Sequence, residues 1–99
     1  MLGIRTERDG AELRMYLSGR LDTGTAPELE SSLRESLDGV DELVLDLKEL
    51  VYVSSAGLRV LLSAQKVMGP RGGMVVCNVN NDVQDVFDMT GFSDFLTIV

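Results

Sequence analysis

Leu43-Val44-Leu45-Asp46-Leu47 and, after Lys48-Glu49, Leu50-Val51-Tyr52-Val53-Ser54-Ser55-Ala56-Gly57-Leu58 decide how this chain is organised. The first run is short, nearly continuous in apolar residues and of the kind that forms a central strand covered on both faces. Leu50 to Val53 then leads into a junction. Beyond it Leu58, Val60, Leu61, Leu62, Ala64, Val67 and Met68 give a helix with a wide apolar surface. The junction therefore puts two hydroxyls, Ser54 and Ser55, where the first N–H groups of a helix have no intrahelical partner. A serine there can cap the helix, and an anion there meets partial positive charge. Capping alone explains one serine locally.

The flanking sequence alternates in the same manner. Leu2 to Leu17 reads as two strands turning at Asp9-Gly10, with Leu13, Met15 and Leu17 alternating against Glu12, Arg14 and Tyr16. Thr25-Ala26-Pro27, followed by Glu28 and Glu30, predicts a helix start near Thr25. Ala26, Leu29, Leu33 and Leu37 form its inner stripe, and Glu30 with Arg34 an outer i,i+4 pair. Asp38-Gly39 closes that helix, and Gly69-Pro70 closes the one after the junction. Met74 to Val79 predicts a strand, Asn80-Asn81-Asp82 the caps of a third helix with Val83, Val86 and Phe87 inward, Gly91 its stop, and Phe95 to Val99 a last strand. An antiparallel hairpin followed by alternating helices and strands predicts an α/β fold with parallel crossovers, in a single domain spanning 1–99.

Composition removes several functions. Sixteen acidic against nine basic residues give a net charge of −7, which repels nucleic acid and anionic membrane surfaces. No apolar run approaches the ~20 residues of a membrane span, and no signal layout opens the chain, so a cytoplasmic protein without membrane insertion is expected. There is no histidine and Cys77 is the one cysteine. Zinc, haem and Ser-His or Cys-His catalysis lose their usual parts, and no carboxylate pair stands out as an acid and base couple. No enzymatic activity, metal or cofactor is expected. Cys77, within Met74-Val75-Val76-Cys77, reads as a buried small hydrophobe, and Met68, Met74 and Met89 read as core filling.

The glycines near 19–24, 57 and 69–73 match neither GxxxxGK[ST] nor GxGxxG. Gly57 costs its helix about 1 kcal/mol relative to alanine and invites an explanation, either close packing or access to the Ser55 hydroxyl. Arg59, Ser63 and Lys66 make an exposed ridge running from the junction, so a partner touching Ser55 also reaches Arg59. Asp22 and Asp46 are placed at strand ends, the side of an open α/β sheet where ligands gather.

Gly19-Arg20-Leu21-Asp22, Thr25-Ala26-Pro27, Asp46-Leu47 to Ser55-Ala56-Gly57-Leu58, Gly73-Met74-Val75-Val76-Cys77 and Val86-Phe87-Asp88-Met89-Thr90-Gly91 occur in this order across nearly all of the chain. In that combination the sequence resembles the STAS domain, specifically the bacterial anti-sigma-factor antagonists. The resemblance implies a mixed β-sheet with helices packed on one side, and partner switching instead of catalysis. It implies binding to an anti-sigma factor that is also a serine kinase of the histidine-kinase-like ATPase type, release on phosphorylation of a serine at the helix start, and recovery by a PP2C-type phosphatase. The phosphorylated position falls on Ser55. Many members carry Asp immediately before that serine, where this chain has Ser54, which leaves Ser54 as the alternative acceptor. The expected partner-binding surface combines Asp22, Thr25, Ser54, Ser55, Gly57 and Arg59. The same fold also serves as a cytoplasmic subunit of lipid-transporting ABC systems and as a stressosome-like scaffold, and both stand as alternative roles.

Overall fold

Asp9 and Glu12 flank a two-residue turn in which Gly10 takes a left-handed φ of +62°, and the turn folds β1 (Leu2–Asp9) antiparallel onto β2 (Glu12–Leu21). This is seen in a computed structural model that describes residues 1–99. There follow α1 (Ala26–Ser36), β3 (Glu42–Val53), α2 (Ser55–Met68), β4 (Met74–Cys77), α3 (Asn81–Thr90), a 3-10 turn at Phe92–Asp94 and β5 (Thr97–Ile98). The five strands lie in the order β1-β2-β3-β4-β5, and every pairing after the hairpin is parallel. Three successive crossovers step across the sheet in one direction, and the right-handed rule for such connections puts α1, α2 and α3 on one face.

Burial agrees. Leu13, Met15 and Leu17 of β2, Leu43, Leu45 and Leu47 of β3, and Met74 and Val76 of β4 are buried against Leu29, Leu61, Met68 and Phe87 of the helices. Their neighbours Arg14, Tyr16, Val44, Asp46 and Val75 turn to the other face and are only half-buried. The coverage on both faces expected of β3 is therefore corrected: the strand is central, but helices cover one side only. Val44 carries an apolar side chain on the open side, and this makes the run look doubly buried.

β3 is also one strand of twelve residues, not two pieces separated at Lys48-Glu49. Between its pairs Tyr16↔Asp46, Ser18↔Glu49, Gly19↔Leu50 and Arg20↔Tyr52 with β2 it carries extra residues, which are bulges. They change the inward repeat to Leu47, Leu50, Val53. Asp46 therefore lies mid-strand, not at a strand end. On the open face its carboxylate accepts the Lys48 N–H and an N–H of the Asn78 side chain, both at 3.0 Å.

Four smaller expectations also change. β4 stops at Cys77, because Asn78 takes a φ of +56° and leaves the sheet. β5 is two residues long, since Phe92–Asp94 continues beyond the left-handed Gly91 as a 3-10 turn, and Phe95 is exposed. Met89, expected in the core, is 86% exposed on the outer side of α3, whereas Met68 and Met74 are buried. Cys77 is half-buried on the open face; desolvation and the nearby Asp46 carboxylate raise its thiol pKa, which disfavours a reactive thiolate. Asn80 caps α3 as expected, its side chain accepting the Val83 N–H at 2.9 Å. No helix is long and apolar enough to cross a membrane.

Candidate functional site

The carboxyl ends of β2 and β3 lie side by side, and each feeds a helix. Ser54 donates its N–H to the Leu21 carbonyl at 2.8 Å, which fixes the last residue of the β3 connection against the last residue of β2. Its backbone stays extended (φ −98°, ψ 174°), so its side chain turns back over the first turn of α2 and accepts the Gly57 N–H at 3.3 Å. Leu58 closes the turn by donating to the Ser54 carbonyl at 2.9 Å. Ser54 is thus the cap, half-buried and engaged.

Ser55 is the first residue of α2 and is exposed, and its hydroxyl makes no hydrogen bond within the chain. The N–H groups of Ser55 and Ala56 have no partner in the chain either. Two free donors at the positive end of a fourteen-residue helix favour negative charge there by about 0.3–1 kcal/mol.

Gly57 is buried, so it shapes the site from beneath and offers no side chain to a partner. A Cβ on it would lie 2.6 Å from Leu21 Cγ and 3.0 Å from the Leu21 carbonyl oxygen. Of the two explanations for this glycine, close packing against the end of β2 is the one observed.

The β2–α1 turn forms the second wall. Asp22 Oδ1 accepts the N–H groups of Gly24 at 3.0 Å and Thr25 at 3.1 Å. Partial desolvation works to raise the Asp22 pKa, but these bonds with the Thr25 and Gly24 N–H groups and the Thr25 hydroxyl prevail and hold it below the usual aspartate value. Thr25 starts α1 as expected, yet its hydroxyl does not cap the helix. It accepts the Asp22 N–H and donates to the Arg20 carbonyl, each at 2.8 Å, and the residue is 8% exposed. Thr25 therefore positions the turn and does not face outward.

Arg59 is exposed and takes part in none of the three ion pairs of the chain. It lines a shallow groove of about 340 Å³ between the starts of α1 and α2, with Thr23, Pro27, Glu30, Ala56 and Ser63. The start of α2, with Ser54, Ser55 and Arg59, thus lies beside the β2–α1 turn that carries Asp22, joined to it by the Ser54–Leu21 bond and by the groove shared by Thr23, Ala56 and Arg59, while Thr25 and Gly57 are buried.

Sequence reasoning missed Val51, Tyr52 and Arg20. The Arg20 guanidinium sits 4.2 Å from the centre of the Tyr52 ring and 3.7 Å from Asp22 Oδ2. Val51 and Tyr52 are 61% and 39% exposed beside the junction, although their apolar run reads as core. The only signal was the register: the second bulge turns them outward, and a bulge leaves no mark in composition.

A family model described as the STAS domain matches residues 4–99. BtrV of Bordetella bronchiseptica is 41% identical over 78 residues, covering 77% of this chain and 67% of that protein. An anti-sigma F factor antagonist of Paenibacillus polymyxa is 34% identical over 100 residues, covering 98% of this chain and 86% of that one. Among solved structures, an anti-sigma factor antagonist from Mycobacterium paratuberculosis superposes with a TM-score of 0.88 at 23% identity over 99% of this chain and 85% of its own. SpoIIAA superposes in its unphosphorylated and phosphorylated forms with TM-scores of 0.76 and 0.74, each at 15% identity over 98% of this chain, and over 87% and 91% of those chains.

Proposed function

Because the chain belongs to the STAS-domain family, whose anti-sigma factor antagonists are binding proteins and not enzymes, we propose that it is an anti-sigma-factor antagonist that works by partner switching at the β3–α2 junction. Unphosphorylated, it holds an anti-sigma factor that is also a serine kinase. Phosphorylated on Ser55, it lets go, and a PP2C-type phosphatase restores binding.

One observation carries the reading: of the two adjacent hydroxyls, Ser54 is committed to the Gly57 N–H while Ser55 is free and exposed on the first turn of α2. A kinase needs a hydroxyl it can reach without dismantling the fold. The free domain tolerates the product, since the phosphate joins unpaired N–H groups at a helix start. Within an interface the same phosphate adds roughly −1.5 to −2 charges. An uncompensated buried charge costs on the order of 3–5 kcal/mol, which at 1.4 kcal/mol per decade removes about two to three and a half orders of magnitude of affinity. The switch is electrostatic and needs no refolding. That SpoIIAA was solved in both phosphorylation states supports this reading.

The test is incubation with candidate anti-sigma kinases and ATP, followed by mass mapping. Phosphate on Ser55 is the expected result; phosphate on Ser54 moves the acceptor, and none on either serine with any kinase that binds the domain overturns the switch.

A further inference from the structure

β1 is an edge strand, and the parity of its backbone shows which of its groups are free. Arg20 donates its N–H to the Met1 carbonyl at 3.0 Å, and Asp41 donates to the Ala11 carbonyl at 2.8 Å. Even-numbered residues of β2 therefore turn their backbone groups to β1, and odd-numbered ones to β3. In the observed register Gly3 faces Ser18, Arg5 faces Tyr16, Glu7 faces Arg14 and Asp9 faces Glu12. The odd residues of β1 are thus the ones bonded to β2. The N–H and C=O groups of Leu2, Ile4, Thr6 and Arg8 point off the sheet, where no further strand lies. Such an edge is a template for another strand.

The side chains select what that strand is. An antiparallel pairing of β1 with a second β1, centred on Thr6, sets Thr6 against Thr6 and Ile4 against Arg8. All of these are outward-pointing residues, so each pair can exchange both backbone bonds. The same register sets Arg5 against the partner's Glu7 and Glu7 against the partner's Arg5. They fall in the non-hydrogen-bonded positions, where facing Cα atoms come within about 4.5 Å. Arg5 and Glu7 project from the open face with side chains 68% and 58% exposed. Shifting the centre by one residue keeps the backbone parity but puts Arg5 against Arg5, or Glu7 against Glu7, and like charges directly opposite destabilise. The charges therefore favour the centred register over both of its neighbours.

We infer that the β1 edge is a self-association surface: two copies join about a two-fold axis at Thr6 into one continuous sheet. The axis is normal to the sheet, so both sets of helices stay on the same side. Ser54 and Ser55 follow β3, two strands in from this edge, and remain free in the dimer. An eight-residue edge with little apolar area belongs at the small end of specific interfaces. The dimer is accordingly concentration-dependent.

Sedimentation velocity between about 10 µM and 1 mM, at ~150 mM salt to screen the long-range repulsion between two copies of charge −7, reads the equilibrium. A reversible dimer is expected. Thr6→Pro removes an outward N–H that β2 does not use and is tolerated on an edge; it should weaken association at least tenfold. Arg5→Glu should do the same, and Arg5→Glu combined with Glu7→Arg should restore it, because the swapped charges again face their opposites. A wild-type monomer at 1 mM, a dimer insensitive to these changes, or failure of the double exchange to rescue overturns the proposal. If circular dichroism shows that Thr6→Pro has lost strand structure, the charge exchange decides alone.

Discussion

Leu21 and Gly57 meet so closely that no methyl group fits between them: a Cβ on Gly57 would stand 2.6 Å from Leu21 Cγ, and Leu21 is fully buried. The contact fixes the height of α2 above the end of β2, and with it the position of the serines. Gly57→Ala gains helix propensity worth up to about 1 kcal/mol but forces an overpacked contact costing about 1–3 kcal/mol. The expected outcome is a net loss of up to about 2 kcal/mol, seen as a lower urea midpoint. A midpoint at or above wild type would show that Leu21 yields freely.

The two serines should separate cleanly. Ser54→Ala removes the cap and should cost about 1 kcal/mol of stability, while Ser55→Ala, at an exposed and unbonded site, should stay within about 0.5 kcal/mol of wild type. Kinase labelling should show the reverse order, lost in Ser55→Ala and retained in Ser54→Ala. Retained labelling in the Ser55 variant transfers the acceptor role to Ser54.

Ser55→Asp brings a fixed negative charge to the start of α2 without touching the core. Calorimetric titration against the cognate anti-sigma factor should show affinity at least tenfold weaker, with an unchanged thermal midpoint to within a few degrees. Undiminished affinity would place the junction outside the interface.

Two carboxylates tie stability to acid. The Asp22 pKa is lowered, its bonds to Thr25 and Gly24 outweighing desolvation, and the Asp88 pKa is lowered by the Ser93 hydroxyl and the Gln84 amide. Each therefore contributes stability above its unfolded value of about 3.9, and loses it as the pH falls through the lower folded value. Urea midpoints should drop from pH 5 to pH 2, and Asp22→Asn and Asp88→Asn should each flatten that drop. A variant as acid-sensitive as wild type removes its carboxylate from the account.

Much of this architecture can be read from the residues. Asp9-Gly10 sets the hairpin, Pro27 and Glu28 the start of α1, and Asn80 and Gly91 the ends of α3, because each is local backbone chemistry. What escaped is non-local. Lys48-Glu49 reads as a polar break after the first apolar run and is a bulge, since only pairing with β2 shows that β3 continues. Val44 looks buried, because an apolar residue on an open face copies the pattern of a doubly covered strand. At the site, Ser54 and Ser55 are visible as a helix start, but which hydroxyl is engaged depends on the ψ of Ser54, and the exposure of Val51 and Tyr52 depends on a register shift. Thr25 is a helix-start residue whose hydroxyl is claimed by Arg20 and Asp22, partners set by the turn and not by the helix.

The strand order has a kinetic consequence. Because β1 to β5 lie in the sheet in the order of synthesis, no strand must insert between two already paired, and each new strand adds to the exposed edge of its predecessor. A chain emerging from the ribosome can assemble the sheet outward from the hairpin, with each loop closed before the next is made. The segment that carries Ser54 and Ser55 follows the third strand laid down, so the junction can take shape while the last strands are still being made.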